Sequence, residues 1–137
     1  MQNVLLRSFL AILGGLIIGS VVNIGLIMIS SGIIPPPAGA DVTTTEGLKQ
    51  SMHLFEPKHF LFPFLAHSLG TFAGAYAASR IANKNHFKLS LVVSIFFLIG
   101  GIVSVATLPS PLWFSITDIV LAYLPFGWLG WKAAKGK

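Results

Sequence analysis

Four runs of apolar residues, each long enough to cross a bilayer, constrain this chain more than any motif in it. They are Val4–Ile29, Pro57–Ile81, Leu89–Leu108 and Leu112–Trp131. A spanning helix needs about 20 predominantly apolar residues to traverse a hydrocarbon core of about 30 Å. Residues that end helices separate the runs: Ser30-Ser31-Gly32 with Pro35-Pro36-Pro37, then Asn83-Lys84-Asn85-His86, then Pro109-Ser110-Pro111. Only 9% of the chain is charged, where a soluble domain carries about 25%. The expected fold is therefore an all-α integral membrane protein. It is a four-transmembrane-helix bundle forming one domain over residues 1–137, with an outer loop over residues 30–56.

The first run follows Arg7 and precedes Ala38-Gly39-Ala40, which has the form of a signal-peptide cleavage site. It is roughly twice as long as a signal-peptide core, and three prolines separate it from the site, so it reads as a retained first span. Charge then sets the orientation. Arg7, Arg80, Lys84, Lys88, Lys132, Lys135 and Lys137 fall on one side of a four-span arrangement, while the other side holds Lys49 and Lys58 with Asp41, Glu46 and Glu56. Basic residues accumulate on the cytoplasmic side of membranes, so both termini are expected in the cytoplasm, with the protein in the inner (plasma) membrane. Trp113 at one boundary, with Trp128 and Trp131 at the other, fits an aromatic belt. The net charge of +5 belongs to this topology signal and not to nucleic-acid binding.

The second half of the outer loop has a helical pattern. Thr43 and Glu46 have capping-box spacing, and Leu48, Met52 and Phe55 recur on one face opposite Lys49, Gln50 and His53. A short amphipathic helix of this kind lies on the membrane surface or caps the bundle.

Lipid supplies no hydrophobic drive for helices to associate, so small residues must let their backbones approach. The first span carries Ala11, Gly15, Gly19 and Asn23 four apart, and the second carries His67, Gly70, Gly74 and Ala78. The third has Ser90, Ser94, Gly101 and Ser104, and in the fourth Asp118 shares a face with Ala122. The polar residues Asn23, His67 and Asp118 thus sit on the stripes expected to face inward, at a common depth of about 10–15 Å. A carboxylate at mid-span costs roughly 2.5–3.5 kcal/mol on insertion scales, so Asp118 is expected to face protein or water. Paired with His67 it would share one proton, as in intramembrane proton relays. Pro63 and Pro125 are expected to kink the second and fourth spans by freeing the carbonyls of His59 and Leu121.

A second constellation, His53-x-x-Glu56-x-x-His59, offers imidazole and carboxylate ligands for a divalent metal. It lacks the i, i+4 histidine spacing of the zinc-protease pattern, and Glu56-Pro57 points instead to a helix start with Glu56 as N-cap. His86 is expected simply to be solvated. With no cysteine there is no disulfide, thiolate nucleophile or Cys-ligated metal. Phosphate-cradling and nucleophile-elbow motifs are missing too, and only one histidine is deep, so no haem or other cofactor is expected.

Three functions fit these residues. The first is an oligomeric proton-linked transporter or channel for a small solute, built on Asn23, His67 and Asp118. The second is a non-catalytic subunit or assembly factor of a larger membrane complex. The third is a membrane enzyme with an outward His53/Glu56/His59 metal site. The expected partners are the lipid bilayer and either further copies of the chain or a larger membrane complex.

Overall fold

The computed structural model describes residues 2–135, and these form helices joined by short turns, with no strand among them. The helices are α1 (Gln2–Ile33), α2 (Thr45–Ser51), α3 (Leu61–Ile81), α4 (His86–Thr107), α5 (Leu112–Thr117) and α6 (Leu124–Lys135). A π-helical turn, Asp118–Ala122, joins α5 to α6. Three stretches are long and apolar enough to cross a membrane: Asn3–Ile33, His86–Thr107 and Leu112–Lys135. Leu5, Phe9, Val21 and Met28 all stand well exposed along α1. An apolar surface of this extent marks a membrane or partner face, and on helices of this length it marks a membrane protein.

Helix α1 runs one turn past the expected break. Ser30 returns its hydroxyl to the carbonyl of Ile27 at 2.6 Å, and the helix stops only where Pro35 forbids continuation. Pro63 makes no mid-helix kink. The second run opens as a 3₁₀ turn over Pro57–Phe60, so Pro63 falls in the first turn of α3, where its missing N–H has no helical partner to lose.

Helix α3 sits at the centre and contacts α1, α4 and α6. Its packing positions are almost all small: Ala66, Ser68, Gly70, Thr71, Gly74, Ala75, Ala77, Ala78 and Ser79 are buried. This composition gives α3 less apolar character than α1 and α4, and yet it packs against three helices. Against α1 it runs antiparallel, with Gly15 facing Gly74 and Gly19 facing Gly70. A methyl group on Gly15 would stand 2.7 Å from the Gly74 carbonyl oxygen, and one on Gly74 equally close to that of Gly15. The two stripes read from the sequence are thus the two halves of one interface. On its other side α3 meets α4, where the Ser90 hydroxyl donates to the Ala75 carbonyl at 2.8 Å. Ser94 fills the space left by Gly127 of α6, and Gly130 lies against the Phe72 carbonyl.

The turn between α3 and α4 is closed by Asn85 in the left-handed region (φ 58°) and by a hydrogen bond from His86 Nδ1 to the Ser79 carbonyl at 2.8 Å. His86 is exposed, but it ties two helix ends together and is not merely solvated. This turn and the antiparallel packing gather Arg7, Arg80, Lys84, Lys88, Lys132 and Lys135 at one end of the bundle. Lys137 lies outside the described residues.

The opposite end is closed by the 30–60 segment. The cap of α2 is Thr44 and not Thr43: its hydroxyl accepts from the Gly47 amide at 2.9 Å. Thr43 instead donates its amide and its hydroxyl to Asp41, and these bonds hold the Asp41 carboxyl below its usual range. Leu48, Met52 and Phe55 turn inward onto Phe60, Phe64, Phe114 and Leu108, so the segment caps the bundle with an aromatic plug.

Candidate functional site

Asp118 begins the π turn and is buried, and His67 reaches it from α3. His67 Nδ1 lies 2.8 Å from one carboxylate oxygen of Asp118 and 2.9 Å from the other. The Tyr123 hydroxyl donates to the second oxygen at 3.1 Å, and its ring stacks on the imidazole with centroids 5.8 Å apart. Around this trio, Thr71 donates its hydroxyl to the His67 carbonyl at 2.7 Å, and the Tyr123 ring lies against Gly101. Every buried side-chain nitrogen and oxygen among the described residues has a partner. That satisfaction is what makes a buried carboxylate tolerable.

The backbone explains how Tyr123 gets there. Five residues along an α-helix separate two side chains by about 140° around the axis, so Asp118 and Tyr123 would diverge. A π turn hydrogen-bonds i to i+5 and stacks those two residues instead. Pro125 follows directly, and its missing N–H and bulky ring already disrupt the ladder over the preceding turn. The expected kink therefore takes the form of a widened turn that begins at the acidic residue. Sequence reasoning placed Asp118 with Ala122 and did not select Tyr123. The available signal was an aromatic hydroxyl five residues after a lone acid and two before a proline.

Charge and exposure define what the trio can do. An ionised carboxylate only accepts hydrogen bonds, so His67 carries its proton on Nδ1 whenever Asp118 is ionised. Nε2 then remains as the basic nitrogen. The His67 side chain is 23% exposed and that of Asp118 only 3%, so the imidazole is the member of the pair that reaches the surface and the carboxylate lies behind it. Asn23 packs against Gly70, one turn along α3 from His67. Among the described residues it makes no hydrogen bond to either member of the pair.

The second constellation does not converge. Among the described residues no three His, Asp or Glu side chains are grouped to hold a metal ion. The Glu56 amide donates to His59 Nδ1 at 2.8 Å, which uses that histidine to cap the 3₁₀ turn, and the Glu56 carboxylate lies 3.5 Å from Lys58. Glu56 and His59 form the helix start expected at Glu56-Pro57, and His53 lies in the preceding 3₁₀ turn, Met52–Leu54, so the spacing of the three is not that of one continuous helix.

In comparison with known proteins, the chain matches no family model, no curated protein and no solved structure.

Proposed function

We propose that the chain crosses the inner (plasma) membrane four times, with both termini cytoplasmic, and serves as a small proton-linked transporter or channel. The observation that carries this reading is the buried His67–Asp118–Tyr123 cluster, an ionisable site in the middle of an otherwise apolar bundle. Intramembrane acids and histidines mark ion and proton pathways, and they are otherwise expensive to keep. As the fourth crossing, α3 has 21 residues, about 30 Å of helix, and three neighbours shield its polar side chains from lipid. The basic end then lies in the cytoplasm by the positive-inside rule.

Because α3 fills the centre of the bundle, a pathway to His67 runs along the outside of one protomer. A second copy would enclose it, so the working form is a homo-oligomer. The solute moved with the proton is small. In proteoliposomes under an imposed pH gradient, the intact protein should carry protons across the bilayer. Asp118→Asn should reduce the flux to that of empty vesicles while leaving reconstitution unchanged. Equal flux from the variant would end this reading.

A further inference from the structure

We infer that the basic end of the bundle holds a binding site for the headgroup of an anionic phospholipid. A groove of about 700 Å³ opens there between the α3–α4 turn and the C-terminal part of α6. Arg80, Lys88 and Lys135 line it with His86, Asn85 and Trp131. Its volume is in the range of pockets that accept small ligands. All three cationic side chains are exposed, and no carboxylate side chain of the chain is near them: Asp41, Glu46 and Glu56 belong to the opposite end and Asp118 to the interior.

The groove is amphipathic in the way a lipid headgroup requires. Trp131 packs edge-on against Phe87 at 4.9 Å and supplies the apolar wall, while Lys135 sits over its ring at 5.1 Å. His86 is fixed by its bond to the Ser79 carbonyl, so this wall of the groove is preformed. The first-turn amides of α4 receive no bond from the Asn85 side chain, and they add donors of the kind a phosphate accepts. Basic pockets between spanning helices at the cytoplasmic face suit anionic headgroups, and an indole at the same level suits the interface. The inference rests on the membrane placement proposed above and is independent of proton transport.

Native mass spectrometry of the full-length protein in detergent, offered equal phosphatidylglycerol and phosphatidylcholine, tests it. Phosphatidylglycerol should be the retained adduct. Replacing the cations together (Arg80→Gln, Lys88→Gln, Lys135→Gln) should lower its retention roughly 100-fold, about five-fold for each charge lost, with phosphatidylcholine unaffected. Lys49→Gln with Lys58→Gln, at the other end, should change nothing. Equal retention of the two lipids, or an undiminished preference in the triple variant, would overturn the site. Displacement by millimolar inorganic phosphate would overturn the lipid assignment and leave a soluble phosphate as the ligand. No preference in the unsubstituted protein, if it still requires detergent, ends the lipid site alone, whereas a protein soluble without detergent ends the membrane reading.

Discussion

Gly74→Leu is expected to push α1 away from α3 and to cost about 3 kcal/mol of stability, measured by unfolding in mixed micelles. The Cβ it introduces would stand 2.7 Å from the Gly15 carbonyl oxygen. That obstacle is backbone, so it cannot rotate aside as a side chain would. Relief requires the helices to separate along the register that also holds Gly19 against Gly70, and close packing is the chief attraction between helices in lipid. Gly25→Leu, on the same α1 but with open space where its side chain would go, provides the contrast and should be close to neutral. Equal effects at the two positions would mean that the α1–α3 interface is not built on this contact.

Asp118→Ala should be nearly as severe, at about 2–4 kcal/mol, for a different reason. It leaves the Tyr123 hydroxyl and the His67 Nδ1 proton buried without an acceptor and opens a small void in the π turn. His67→Ala should also destabilise, since the carboxylate then keeps only the Tyr123 bond. The double variant should cost clearly less than the sum of the two, because each single change already removes the same interaction. Simple additivity in that cycle would show that the two side chains act independently.

Much of this arrangement was legible in the sequence because bilayer constraints act on composition and spacing. The Gly15/Gly19 and Gly70/Gly74 stripes, four residues apart, were readable as packing faces and are the two sides of one interface. The Leu48, Met52 and Phe55 pattern likewise became the inward face of the cap. What stayed hidden depended on local backbone geometry. Tyr123 joins Asp118 only because the helix widens to π spacing, and no periodic count anticipates a change of period. The cap fell on Thr44 because Asp41 had already engaged Thr43, whereas the helix start at Glu56-Pro57 was legible from its proline. His86 looked like a solvated turn residue because its partner is a backbone carbonyl, which has no signature in sequence.

The proton-linked function proposed here requires His67 and Asp118 to share a proton inside the bundle. The most direct test is ¹⁵N NMR of histidine-labelled protein in lipid bilayers, with His67 assigned by its loss in His67→Gln. Nδ1 should be protonated and bonded to the carboxylate, and this bond should change in Asp118→Asn. An Nδ1 without a proton, or a His67 signal unchanged in Asp118→Asn, is the opposite result and would show that the two side chains share no proton.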